Sequence, residues 1–243
     1  MASMMSNMSI EDELLDEPED KLPIPGNGDT ALIHGMTDHF ETILGPVRVV
    51  FHETDSTFVH VDIHQIEYEE GDDAVTYFTT GMAEHPMNVP PEVEEPEEYR
   101  YAELVIHMPP EYPRDLATLQ LPEYWWPFHV LQSLARIPHE RESWVWGGHT
   151  IRHNAESGDP MEQSGFAAAL VCPSYLLPED SEIVTIDDGR RVVLLTLAFI
   201  FPEEYDYCIA HGSEAFFDHV EDSGLTPFEF FVFNPDRPNT CLA

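Results

Sequence analysis

The stretch with the strongest capacity for chemistry is His60-Val61-Asp62-Ile63-His64. On a β-strand, side chains two residues apart share a face, so His60, Asp62 and His64 would project together and could converge on a metal ion. Same-face neighbours stand about 7 Å apart, which a metal bridges only with favourable rotamers and a further ligand from elsewhere. With that ligand the arrangement would suit a metal-dependent hydrolase; without it, the residues form a polar sheet face of hydrogen-bonded histidines. His149 and His153 would share a face only on a helix, and Gly147-Gly148 and Thr150-Ile151 argue against one. HExxH, GxSxG, GxGxxG and GxxxxGK[ST] patterns are all missing, and paired carboxylates are too common here to indicate glycosidase chemistry. Cys172, Cys208 and Cys241 are widely spaced and odd in number, which suits neither a disulfide framework nor a metal knuckle. No cofactor is expected.

Charge narrows the partners. The chain carries 47 Asp and Glu against 10 Lys and Arg, a formal charge of −37, and Lys21 is its single lysine. Such a surface repels nucleic acid and anionic membranes, whose affinity for proteins comes from Lys and Arg. It suits either a general acidic surface in a salty cytoplasm or a patch that steers a basic protein partner. The longest apolar stretch, Val192 to Phe201, is far shorter than the roughly 20 residues of a membrane span. The first residues offer neither a basic nor an apolar leader region, so a cytoplasmic location is expected. Trp125, Trp126, Trp144 and Trp146 are dense enough for a recognition surface or a core, with one of each pair expected inward.

The elements that must position these residues follow from periodicity. Residues 1–22 read as an acidic disordered tail and 23–243 as the folded domain. Asp29 to Leu44 has helical spacing with an N-cap in Asp29 or Thr30 and a stop at Gly45-Pro46. Residues 47–53 and 57–68 predict two strands of a hairpin, 72–81 a third, and 99–109 a further strand by strict alternation. Pro127 fits the first position of a helix of about ten residues. Segments 166–177 and 192–201 predict buried strands, and 202–224 one long C-terminal helix. Without regular βαβ alternation, the order implies a single α+β domain on a mixed or largely antiparallel sheet flanked by helices.

Taken in sequence, VVFHETDSTFVHVDIHQI, YFTTGMAEHPMNVP, YAELVIHMP, YWWPFHVLQSLARIPHERESWVWGGHTI and FPEEYDYCIAHGSEAFF form a succession that resembles the suppressor of fused domain family, particularly its single-domain bacterial members. The most telling pieces are Thr80-Gly81-Met82 with Pro86-Met87, Ala102-Glu103-Leu104, Trp126-Pro127 and Gly148-His149-Thr150. The resemblance runs from about residue 30 to residue 237. It implies a protein-binding module without known catalysis. The animal member resembles a two-lobed clamp that sequesters a transcription factor, and this chain is long enough only for the first lobe. Many bacterial relatives are thought to be immunity proteins, which implies a basic toxin or nuclease as partner. The working surface is expected to draw on the loop at 81–98 with Gly81, Met82 and Met87, the His60/Asp62/His64 face, Glu103, Trp144, Trp146 and His149. Gly81 would allow a sharp turn, and Glu103 would be a buried carboxylate paired with Arg136 or Arg141.

Overall fold

The computed structural model describes residues 28–53, 56, 58–67, 69–152 and 163–242; the expected acidic tail and His153 lie outside them. Helix α1, Thr30–Ile43, starts where Asp29 accepts hydrogen bonds from the amides of Ala31 and Leu32, leaving Leu32, Met36 and Phe40 on the buried face. Strands β1 (Val47–Phe51), β2 (Asp62–Ile66), β3 (Val75–Thr80) and β4 (Ala102–Met108) form an antiparallel meander. The expected hairpin is present, but its second strand is shorter: pairing with β1 begins at Ile63, and the approach to β2 is held by side chains.

After β4 come α2 (Leu116–Leu119) and α3 (Pro122–Glu140), then β5 (Thr150–Arg152), β6 (Ala168–Pro173), β7 (Ile183–Thr185) and β8 (Arg191–Ile200). The chain closes with α4 (Pro202–His211), α5 (Ser213–Asp222) and α6 (Pro227–Phe231). The sheet order is β1-β2-β3-β4-β8-β6-β5, with β7 also on β8. Among the described strands β4 and β8 pair in parallel and the other strand pairs are antiparallel, so the sheet is mixed and mostly antiparallel.

Two departures from sequence expectation have clear causes. Helix α3 spans 19 residues, with Pro122 in its first turn and Pro127 and Pro138 inside. The apolar stripe through Phe128, Leu131 and Leu134 packs on the sheet and outweighs the local penalty of interior proline. The long C-terminal helix is in fact two, broken at Gly212, whose φ of 89° no helix continues through.

Burial alternates across the sheet. Leu104 and Ile106 face α3, whereas Val105 and Phe78 face α1, where Phe78 stacks on Phe40 at 3.9 Å. On the α1 side, further along, Leu170, Ala198 and Ile200 meet Phe216 of α5 and Phe230 of α6. Arg237 locks this third region. Its guanidinium donates to Glu204 at 2.5 and 2.8 Å and to the Phe199 carbonyl, beneath the rings of Phe201 and Phe230. Burial raises the Glu204 pKa, but Arg237 and the amides of Thr240 and Phe201 outweigh it and hold the carboxyl below its ordinary range. Arg237→Met is expected to lower stability by about 3–5 kcal/mol, because the carboxylate remains buried without its counter-charge. Adding Glu204→Leu should recover part of that loss, as measured by urea denaturation.

A carboxylate and histidine cluster as candidate functional site

Glu103 anchors one end of the sheet. It lies on β4, fully buried, and accepts hydrogen bonds from Thr79 Oγ1 at 2.6 Å and the amides of Gly81 and Ala83 at 2.8 and 2.9 Å. The expected partner, Arg136 or Arg141, is not what it uses. Hydroxyl and backbone donors fill its oxygens, while Arg136 pairs with Glu53 and the α3 C-cap, Arg141, is exposed. Burial pushes the Glu103 pKa up to about 7 against the lowering effect of these donors. Gly81 turns the chain with φ 132°, and a Cβ there would lie 2.1 Å from the His60 carbonyl oxygen. The turn leads into one 3₁₀ turn, Met82–Glu84.

Glu84 continues the network, accepting from the amides of Asp29 at 3.0 Å and His60 at 3.3 Å. Burial raises its pKa, with those amides opposing. Arg190 reaches the same place, donating to the Ala83 carbonyl at 2.7 Å and Asp29 at 2.6 Å. The start of α1, the turn after β3 and the turn before β8 are thereby held together.

His60 and Asp62 meet, but with His52 rather than His64. Asp62 accepts from His52 Nδ1 at 2.8 Å and from the Glu53 amide at 3.0 Å, and His60 Nε2 lies 3.0 Å from its Oδ1. His64 bonds Thr80 Oγ1 at 2.8 Å and stacks on Phe78, where burial lowers its pKa to about 4. Glu53 accepts from the Val61 amide at 2.9 Å besides pairing with Arg136, and Gln132 donates to the Val61 carbonyl, so α3 holds the approach to β2. Register could have revealed His52: Val50 pairs with His64 and Phe51 with Ile63, which sets His52 opposite Asp62. The period of a single strand does not reach His52, which follows β1 on the other side of the hairpin.

The remaining expected site residues divide by exposure. Met82 and Met87 are buried, and the Met82 carbonyl accepts from His139 at 2.8 Å. His60, Asp62 and His64 are buried too, so the strand face is internal. Trp144 and Trp146 are both half-buried against the core cluster that holds buried Val145. Tyr99 meets both rings edge-on, and His149 meets Trp144 edge-on while accepting from the Trp146 amide. Beside them the 88–98 segment, tied down by the Asn88 amide on the Ser143 carbonyl, exposes Glu92, Glu94, Glu95, Glu97 and Glu98.

At the opposite end of the sheet lies a groove of about 610 Å³ between the α3 start, the β4 end and α6. Tyr112, Tyr124 and Phe228 line it, as do Asp73, Glu111 and Glu229, with no Lys or Arg among its described lining residues. No described helix is long and apolar enough to cross a membrane. Cys172 and Cys208 are buried free thiols whose pKa burial raises, which makes them poor nucleophiles.

The family model described as Suppressor of fused protein (SUFU) matches residues 58–238, and the chain belongs to that family. A SUFU homologue from Neisseria gonorrhoeae has the same fold, with a TM-score of 0.58 at 16% identity over 88% of this chain and 96% of that one. A chain of the Sufu-Fu complex gives 0.54 at 14% identity, covering 89% of this chain and 93% of that one. Drosophila Suppressor of Fused gives 0.55 at 14% identity over 89% of this chain, which spans 52% of that protein. A search of curated proteins finds no match.

Two outcomes test the cluster. Gly81→Ala is expected to destabilise the protein by about 3 kcal/mol or more, since the left-handed φ and the His60 carbonyl both oppose a Cβ. The second concerns pH. His64 and His107, both lowered to about 4 by burial, stay neutral in the fold while the unfolded chain protonates below about 6.5, so they favour folding less as pH falls from 6.5 to 4. Glu103, raised to about 7, acts oppositely, its contribution fading as pH rises from about 4.5 through 7. Two histidines outweigh one carboxyl, so unfolding free energy should rise from pH 4.5 to 6.5, and Glu103→Gln should steepen that rise in urea titrations.

Proposed function

We propose that this protein binds another protein and inhibits it, with a basic toxin or nuclease as the class of partner and the cytoplasm as the place of encounter. The observation that carries this reading is the face where half-exposed Trp144 and Trp146, with Tyr99, adjoin the exposed glutamates of 92–98. Aromatic rings supply contact area at little entropic cost, while the carboxylates attract a basic surface and speed its approach. Arg100 and Arg191 pair with Glu97 and Glu98, which leaves Glu92, Glu94 and Glu95 to face a partner. The Sufu-Fu complex shows a family fold engaged with another protein. Gly81, Met82, Met87 and Glu103 support this face from within by placing the segment that follows β3, and His149 accepts from the Trp146 amide.

Affinity capture from the source cell at low and high salt is expected to yield one basic partner in stoichiometric amount, lost at high salt. The purified partner's own activity should fall when this protein is added. Trp146→Ala combined with Glu94→Lys and Glu95→Lys should weaken capture at least ~10-fold, consistent with loss of an aromatic anchor and its charge field. Full capture by that variant, with loss instead on Phe228→Ala and Glu229→Lys, would move the contact to the groove. No stoichiometric partner at either salt would overturn the reading.

A further inference from the structure

Among the described residues, one group of histidine and carboxylate side chains has its ligand atoms all within 4.8 Å of one another: His52, His60 and Asp62. We propose that these three form a binding site for a divalent transition-metal ion of the zinc class. Two imidazoles and one carboxylate are the donor set such ions take, and three protein ligands leave a coordination position for water or an incoming group.

Three features favour a site over an ordinary hydrogen-bonded trio. Asp62 is buried at 2% exposure and aimed by the Glu53 amide, so the anionic ligand is already desolvated and oriented. His60 Nδ1 shares a 2.6 Å hydrogen bond with Ser56 Oγ. A hydroxyl can donate or accept, so when His60 moves its proton from Nε2 to Nδ1 to present a lone pair to the ion, Ser56 holds the ring in either form. His52 is 72% exposed, so an ion has a way in, and its displaced proton can sit on Nε2 facing water. His52 Nδ1 lies 2.8 Å from one Asp62 oxygen and His60 Nε2 3.0 Å from the other, and one ligand atom from each residue falls within 4.8 Å of the rest, a spacing that side-chain rotation can draw in around an ion with bonds of about 2.0–2.2 Å. The net charge of −37 raises the local concentration of cations.

The proposal is independent of the partner-binding reading, and its test uses the purified full chain with Zn²⁺ or Co²⁺ alone. Calorimetric titration with Zn²⁺ is expected to show one tight site, and Co²⁺ to give the visible absorption of a low-symmetry site with nitrogen and oxygen ligands. His52→Ala, which removes an exposed side chain and should leave the fold intact, is expected to weaken Zn²⁺ binding at least ~10-fold and to abolish the metal-dependent rise in Tm. Ser56→Ala should weaken it less, and His211→Ala, on α4, should leave it unchanged. Zn²⁺ affinity and Co²⁺ spectrum unaltered in both His52→Ala and His60→Asn, or no Zn²⁺ bound by the wild-type chain, would overturn the proposal.

Discussion

Glu103 is the constraint on which the rest of this end of the molecule depends. A carboxyl group with no exposure must have its oxygens filled, and no arginine reaches them. The chain therefore brings donors to it: the Thr79 hydroxyl from the neighbouring strand and two amides from the turn beyond. That demand bends the chain at a glycine, places Ala83 where Arg190 can meet its carbonyl, and sets Glu84 to receive the amides of Asp29 and His60. The beginning of α1, the approach to β2 and the turn before β8 are all tied to one buried acid.

The chain's charge distribution follows from the same scarcity of cations. With ten Arg and Lys against 47 acids, a buried carboxylate must borrow donors from backbone, hydroxyl and imidazole groups. Glu103 uses amides and a hydroxyl, Asp62 lies against histidines, and Glu53, Glu204 and Asp29 each take an arginine. Most of the other described acids are exposed and cover the surface. Interior polarity and exterior charge thus serve separate ends, one fixing the turns and the other setting what can approach.

Most of the residues that mark the family are internal. Gly81, Met82, Met87, Glu103 and Trp126 are buried, whereas Pro86 is exposed and Gly148, His149 and Thr150 are half-buried. What is exposed is less distinctive in sequence: a glutamate-rich segment and two half-buried tryptophans beside it. A common scaffold can accordingly carry different contact surfaces, which agrees with the low identity at which these structures superpose.

Local pattern determined the α1 cap and stripe, the strand at β4 and the β1–β2 hairpin, because each depends on residues near one another in the chain, and the order of such elements gave the mixed α+β class. Proline at 127 and glycine at 212 misled for a physical reason: packing on the sheet carries α3 through its prolines, whereas at Gly212 a single backbone angle ends a helix that the side-chain pattern would continue. Which side chains meet was decided by tertiary structure. Strand periodicity grouped His60 with Asp62 and His64, but antiparallel register set His52 across from Asp62, and the aromatic packing of Phe78 drew His64 away. Arg237 with Glu204, 33 residues apart, and Glu53 with Arg136 are likewise pairings that only the folded sheet could select, since charge in sequence says what can pair and not what is near.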